Sequence, residues 1–518
     1  MSNQIKILWA DDEIDLLKPQ LFFLEKKGYT VTTVTNGHDA LDVLDEMNDI
    51  DVVFLDESMP GLTGLETLSR IKEKNTNMPI VMITKNEAEN LMEEAIGSQI
   101  DDYLIKPVNP NQILLTLKKL IDNKRLVSEK TASDYQQEFR QIGMDINSNL
   151  SSEEWVNIYR KIINWEIKLD QSDTPQMKDI LNMQKQEANN EFSRFIVKHY
   201  EDWMAREDGP IMSHNLMKEK VFPQMDDSMP TIFLLLDNLR YDQWKIIEPI
   251  LMEKFRVEEE DYFYSILPTS TQYSRNSIFS GMLPNDIYKH HKDLWVFDHE
   301  KDGKNNHEGE LFEKQVKRLV RKELKTHYVK VTNAHKAKQF SDNIHNYLNN
   351  DITVVVYNFI DMMSHARTEM EVLKELAGDE KAYRSLTRSW FLNSPLWLSL
   401  EKIADKGIQL FVTTDHGTIR VNQPSKVVGD KDTTTNLRYK TGRSLKFDKK
   451  DVLAISDPEK VGLPKVNISS TYIFGKPDVY FLYPNNYNYY NNFYRDTFQH
   501  GGISLEEIIC PFIRLSSK

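Results

Sequence analysis

Two blocks of alternating strand and helix patterns, separated by a strand-free helical stretch, predict an α/β protein in three parts. These are an N-terminal (βα)5 unit over residues 1–122, a central helical bundle over 123–210, and a larger C-terminal α/β domain over 211–518. The length of 518 residues agrees with roughly two to four domains. A hydrophobic content of 40% and a charged content of 28% suit packed cores with charged surfaces.

In the first part the strands read IKILWA (5–10), TVTTV (30–34), DVVFL (51–55), IVMIT (80–84) and DYLI (102–105), with helical stretches such as GLETLSRIKEK between them. The central strands are apolar throughout, as in a parallel sheet covered on both faces. In the second part, SEEWVNIYRKIINWEIKL and MQKQEANNEFSRFIVKHYEDWMA space Trp, Ile, Leu and Phe at helical intervals. In the third part, TIFLLLD (231–237), ITVVVYNFID (352–361), IQLFVTTD (408–415) and DVYFLY (478–483) read as strands. The polar stretches 299–327 and 420–450 read as insertions or loops.

Composition narrows the function classes. No run approaches the ~18 apolar residues of a membrane-spanning helix, so no membrane insertion is expected. MSNQIKILWADDE offers no signal-peptide cleavage region. Cys510 is the sole cysteine, which excludes intrachain disulfides and suits a reducing, cytoplasmic setting. A net charge of −14 argues against general duplex-DNA binding, which needs a basic footprint.

Five polar residues stand at strand ends of the first part: Asp11 and Asp12 after strand one, Asp56 at strand three, Thr84 at strand four and Lys106 after strand five. In an open parallel sheet these positions converge on the ligand-binding edge. Carboxylates there suit Mg²⁺, and a carboxylate can attack phosphorus to form an acyl phosphate. Any one of these Asp residues alone also fits a helix N-cap; the ordered set of five points to a site. The motifs DD (11–12), DESMPG (56–61), Thr84 and YLIKP (103–107) resemble the flavodoxin-like receiver domain of two-component response regulators. That resemblance implies phosphorylation of Asp56 by a sensor histidine kinase. It also implies Mg²⁺ held by Asp11, Asp12, Asp56 and the Ser58 backbone, a Thr84/Tyr103 switch pair with Lys106, and a cis Lys106–Pro107 peptide.

A second constellation spans the third part: Asp237, Thr271, Asp361, His365, Asp415, His416 and His500. Most of them follow short apolar strands. Carboxylate with imidazole suits zinc, then Mn²⁺. Two such ions about 4 Å apart activate a nucleophile and stabilise a leaving oxygen, and metal coordination can activate a threonine hydroxyl. Asp-His-Gly alone is commonly a turn; the ordered set is more specific. The motifs LLLDNLRYD (234–242), PTSTQYSRNSIFSGMLP (268–284), DMMSH (361–365), TTDHG (413–417) and HGGISLEE (500–507) resemble the alkaline phosphatase superfamily, and more closely its PglZ domain, over roughly 220–515. The resemblance implies two zinc ions, one on Asp237, Thr271, Asp415 and His416, the other on Asp361, His365 and His500. It makes Thr271 the nucleophile, with Thr269 the nearby competitor.

A receiver joined through helices to a PglZ domain is similar to the PorX-like response regulators of type IX secretion. That similarity implies phosphorylation-promoted homodimerisation, zinc-dependent phosphodiesterase action on nucleotides or short oligonucleotides, and a PorY-like sensor histidine kinase as partner. Secretion-system or sigma-factor proteins are further candidate partners. Residues 420–450 carry nine Lys/Arg against three Asp, and YPNNYNYYNNFY (483–494) interleaves aromatics with Asn, a pattern able to stack bases. Lys431, Arg438 and Lys440 are accordingly candidate substrate contacts, though both stretches also fit solvated loops, and Arg275, in the motif around Thr271, is a further candidate. Two alternatives stay open: a phosphomonoesterase of the same superfamily, or a zinc-stabilised signalling scaffold or transcription regulator without turnover.

Overall fold

The computed structural model describes residues 5–47, 49–75, 78–85, 100–172, 175–206, 209–300, 303–369, 378–430, 433–467 and 469–518, with the side chains of 121–129 and a few others aside. The chain divides into two units, Met1–Asp134 and Tyr135–Lys518. The helix Pro110–Ile146 passes from one into the other.

The first unit holds five strands, β1 (Lys6–Ala10), β2 (Thr30–Val34), β3 (Val52–Asp56), β4 (Ile80–Thr84) and β5 (Asp102–Ile105). They are parallel, in the order β2-β1-β3-β4-β5. This is the doubly wound order whose switch point lies between β1 and β3. Ile7, Trp9 and Phe54 bury one sheet face, and Leu8, Val53 and Leu55 the other. Register places the site. Ala10 lies level with Leu55, so Asp11 and Asp56 leave the sheet side by side. Asp56 lies level with Ile83, and Thr84 with Ile105, so Thr84 and Lys106 follow along the same edge. The helix Gly64–Lys74 starts at a capping box between Thr63 and Glu66. A Cβ at Gly64 would come within 2.4 Å of the Asp56 carbonyl, so the turn behind Asp56 needs a glycine there.

The second unit is built on a six-stranded sheet. Its order is Phe255–Tyr264, Ile509–Ser517, Gln409–Thr413, Thr231–Leu236, Ile352–Tyr357, Thr326–Val331. Four strands run parallel and Ile509–Ser517 runs antiparallel to its neighbours. The helices Ser152–Asp170 and Pro175–Ala205 do not keep a core to themselves. Trp155, Phe192 and Tyr200 belong to one apolar cluster with Phe233, Tyr264, Val412 and Phe512. The Tyr264 hydroxyl donates to the Ser152 carbonyl at 2.7 Å, and Leu267 N donates to the Tyr200 hydroxyl at 2.7 Å.

Three stretches that read as loops carry regular structure. The helix Glu308–Leu319 buries Leu311, Phe312 and Val316. Strands Gln423–Lys426 and Tyr439–Arg443 lie within 420–450, and Tyr487–Tyr494 is helical. In each case tertiary partners supply what the polar sequence lacks, such as the pairing of Tyr439–Arg443 with Ser470–Gly475. Among the described residues, no helix is long and apolar enough to cross a membrane.

Candidate functional sites

At the edge of the first sheet, Asp11, Asp12 and Asp56 each place a carboxylate oxygen within 4.8 Å of the others. The Lys106 ammonium bridges two of them, 2.9 Å from Asp11 Oδ2 and 3.0 Å from Asp56 Oδ1. The Lys106–Pro107 peptide is cis. Burial pushes the Asp56 carboxyl up to about 6; the Lys106 hydrogen bond opposes this and the Asp11 and Asp12 charges add to it. Thr84 donates its hydroxyl to the Glu57 carboxylate. Tyr103 is 42% exposed, and Ser58 stands exposed two residues beyond Asp56. Three acids with no imidazole form a set of hard oxygen donors, which suits Mg²⁺.

In the second unit, Thr413 pairs with Leu235, so the chain carries Asp237 and Asp415 out of the sheet at one level. Two three-donor sets result, Asp237 with Asp415 and His416, and Asp361 with His365 and His500, each with its ligand atoms within 4.8 Å of one another. They are adjacent, since the His416 and His500 rings stack at 4.3 Å. Asn238 links them in a left-handed conformation (φ 68°). Its backbone N–H donates to Asp415 Oδ1 at 3.3 Å and its amide to Asp361 Oδ1 at 3.4 Å. Asn tolerates that conformation better than most residues.

The imidazoles are oriented as ligands. His416 Nδ1 lies 3.2 Å from the Gly417 carbonyl, and His500 Nδ1 lies 3.2 Å from the Thr269 carbonyl. A carbonyl only accepts, so each Nδ1 carries the proton and each Nε2 presents a lone pair. Burial, then the neighbouring His416 and His365, hold His500 well below its ordinary range and keep it neutral. A Cβ at Gly417 would come within 2.1 Å of the Glu506 carbonyl, so only glycine lets the loop after His416 pass so close.

Thr271 is the first residue of the helix Thr271–Ser280. Its Oγ1 lies 3.2 Å from His416 Nε2 and 3.5 Å from Asp237 Oδ1. Thr269 is engaged elsewhere: its hydroxyl donates to the Gly502 carbonyl at 2.9 Å and accepts from Gly501 N at 3.1 Å. Arg275, one helical turn beyond Thr271, is fully buried. It pairs with Asp237 and lies 3.0 Å from Asp415 Oδ2. Burial works against the Asp415 charge, but Arg275 and His416 outweigh it and hold the carboxyl below its usual range. Burial raises Asp237, and the Asp415 and Asp361 charges add to this against Arg275.

The basic candidates for substrate contact fare differently from expectation. Arg275 faces the carboxylates from inside. Arg438 is buried and forked onto Glu507, with 2.6 Å from Nη2 to Oε2. Lys440 is 1% exposed; it donates to the Thr434 carbonyl at 2.8 Å and sits over the Tyr483 ring, and burial lowers it to about 7. Arg438 and Lys440 are therefore internal braces, because strand pairing draws them beneath the surface. Lys431 lies outside the described residues. Asn238, which donates to Asp415 and Asp361, and Asn305, whose amide donates to the Thr271 carbonyl, also stand at the site, with Glu308 and Lys330 paired behind Arg275. None of the four is among the candidates named from sequence. Only Asn238, an Asn at a strand end, left a local signal.

A parallel-sheet edge of acids with a lysine, together with paired Asp/His sets around a threonine, defines a receiver-bearing protein of the alkaline-phosphatase-like class. Residues 216–515, more than half of the chain, match the family described as BREX system PglZ alkaline phosphatase-like domain; the chain belongs to that family. Residues 7–118 match the response regulator receiver domain, and 125–204 the PorX response regulator linker domain, so the architecture is PorX-like. Curated relatives include the transcriptional regulatory protein ResD of Bacillus subtilis (33% identical over 120 residues, 23% of this chain and 49% of that protein). Another is the response regulator SaeR of Staphylococcus aureus (32% over 115 residues, 22% and 50%). The chain spans about half the length of the curated relatives it matches. Similar solved structures include receiver domains from Clostridium thermocellum (32% identical, TM-score 0.23, covering 24% of this chain and 98% of that one) and Methanospirillum hungatei (24%, 0.23, 23% and 96%).

Proposed function

We propose that this chain is a cytoplasmic response regulator whose output is a zinc-dependent phosphodiesterase. The observation that carries the reading is the position of Thr271 Oγ1, within 3.5 Å of Asp237 and His416 at the junction of two adjacent Asp/His donor sets. Asp237, Asp415 and His416, with Thr271, would hold one zinc; Asp361, His365 and His500 would hold the other. The donors fit the ion, since both sets combine carboxylate oxygens with an imidazole Nε2. Bound metal supplies Lewis-acid stabilisation of phosphoryl oxygens and lowers the pKa of a coordinated hydroxyl.

The chain's residues do the rest. Thr271 Oγ1 loses its proton to solvent and attacks phosphorus from the helix N-terminus, where backbone N–H groups and the helix dipole favour the anionic phosphoryl group. The P–O ester bond breaks, and the alkoxide leaves as an alcohol after taking a proton from water. Water then hydrolyses the phosphothreonine to restore the hydroxyl. Arg275 keeps the Asp237 and Asp415 carboxylates fixed during attack. The Thr269 and Gly417 carbonyls hold the two imidazoles in the ligating tautomer. In the receiver, Asp56 accepts a phosphoryl group from a sensor histidine kinase while Asp11 and Asp12, with the Ser58 carbonyl, hold Mg²⁺. Lys106 neutralises the incoming oxygens, and Thr84 with Tyr103 reports the change. By family likeness, phosphorylation promotes a homodimer, the substrates are nucleotides or short oligonucleotides, and the setting is type IX secretion.

The test compares wild type and Thr271→Ala on a generic phosphodiester, a phosphomonoester and short oligonucleotides, with zinc and after chelation, with metal content measured alongside. Zinc-dependent diester turnover lost in the variant is expected. Preference for the monoester would make the protein a phosphomonoesterase. Two bound zincs without turnover, with or without Asp56 phosphorylation, would make it a zinc-stabilised scaffold.

A further inference from the structure

Helix Glu308–Leu319 begins in a stretch whose sequence reads as a polar insertion, yet its first residue is 1% exposed and faces the catalytic helix. Glu308 Oε1 lies 3.6 Å from Arg275 Nη1, and Oε2 lies 3.0 Å from Lys330 Nζ. The Tyr328 hydroxyl also donates to Glu308. Arg275 in turn pairs with Asp237 and Asp415, and its Nη1 lies 3.5 Å from Asn358 Oδ1. Lys330 donates to the Asn305 carbonyl at 2.7 Å, and the Asn305 amide donates to the Thr271 carbonyl at 3.0 Å. The contacts form a ring: one arm runs from Glu308 through Arg275 to two carboxylates, the other through Lys330 and Asn305 to the backbone of Thr271.

We infer that Glu308 is a positioning residue that sets the donor strength of the Asp237/Asp415/His416 metal set and the placement of Thr271. This rests on the two-metal reading above. A guanidinium buried beside two carboxylates competes with a divalent cation for them, because little solvent screens it. Glu308 carries part of that guanidinium's charge balance and leaves the carboxylates free to bind metal. Without its charge, Arg275 leans wholly on Asp237 and Asp415. The Asp361/His365/His500 set has no bond to Arg275 among the described residues, so the effect falls on one metal and spares the other. Outer-shell partners of this kind change metal affinity by about 10–100-fold.

The experiment is a zinc titration of the full chain against a chromophoric chelator, resolving both affinities, with melting curves to confirm folding. The proteins are wild type, Glu308→Gln, Glu308→Asp and Glu310→Gln, the last an exposed position on the same helix. Glu308→Gln should weaken one of two zinc sites by about 10–100-fold, Glu308→Asp by a smaller factor in the same site, and Glu310→Gln neither. If Glu308→Gln does not fold, the selective loss in Glu308→Asp carries the test. Two wild-type zinc affinities that both Glu308 variants leave unchanged, or a loss spread evenly over both sites, would overturn the inference while leaving the phosphodiesterase reading intact. A wild-type chain that binds no zinc would overturn both.

Discussion

Both candidate sites place one cation between two strand-end carboxylates, and the choice of cation separates their chemistry. In the receiver, Lys106 spans Asp11 and Asp56 and keeps 12% of its side chain exposed. In the PglZ domain, Arg275 spans Asp237 and Asp415 with none exposed. A lysine is a point charge on a flexible stem, able to turn toward arriving phosphoryl oxygens. A guanidinium forked onto carboxylates is fixed, and Asn358 and Glu308 close its remaining side. The receiver is thus arranged for one carboxylate to change its charge partner. The other site is arranged for its carboxylates to stay where they are, while imidazole lone pairs widen the donor set.

The largest expected effect sharpens that division. Thr271→Ala should lower diester hydrolysis by on the order of 10³-fold or more, the scale of losing a nucleophile, with the Asp361/His365/His500 zinc retained. Asp56→Asn should abolish labelling by a small phosphoryl donor and keep the zinc content. Turnover that survives in Thr271→Ala would place the nucleophile elsewhere. Chelation with zinc add-back comes next. Zinc should restore hydrolysis where Mg²⁺ does not, while phosphorylation of Asp56 should need Mg²⁺ alone. Hydrolysis supported by Mg²⁺ would erase the distinction between the two donor sets.

Arg438→Met tests whether a buried cation of the basic stretch is a brace. Breaking its pair with buried Glu507 should cost about 3–5 kcal/mol, read by denaturant unfolding. A raised KM with unchanged stability would return Arg438 to the substrate.

The smallest effect concerns Asp56. Its folded-state carboxyl, raised from 3.8 to about 6 by burial, against Lys106, holds a proton that the unfolded chain has already lost within that window. The group's contribution to stability therefore declines as pH rises from about 4 to 6. In Mg²⁺-free buffer, hydrogen exchange of β1 and β3 should quicken across that window in wild type and less so in Asp56→Asn. Equal slopes would assign the titration to another group.

Much of the sheet framework was legible because it is local. Apolar runs with the right flanks gave β2, β4 and β5 to the residue, and GLETLSRIKEK gave the helix Gly64–Lys74 whole. Most of the Asp/His residues were legible because they end or closely follow such a run, and the structure groups them as two sets of three. Residues 420–450 misled because a buried guanidinium and a solvated one look alike in composition; only the partner, Glu507, distinguishes them. The helix Tyr487–Tyr494 misled because Asn is common in turns.

By itself, the sequence determined the order of strands and helices, the residues at the strand ends and the chemistry those residues can perform, since periodicity and residue type act over a few positions. Tertiary structure alone decided which acids share a cation, which threonine faces the imidazoles, and that the helices after Tyr135 complete the core of the larger sheet. It alone brought Glu308 beneath a helix that begins 37 residues earlier, at Thr271. Those outcomes depend on register and burial between distant segments, where a contact is set by packing and desolvation, and no local pattern records it.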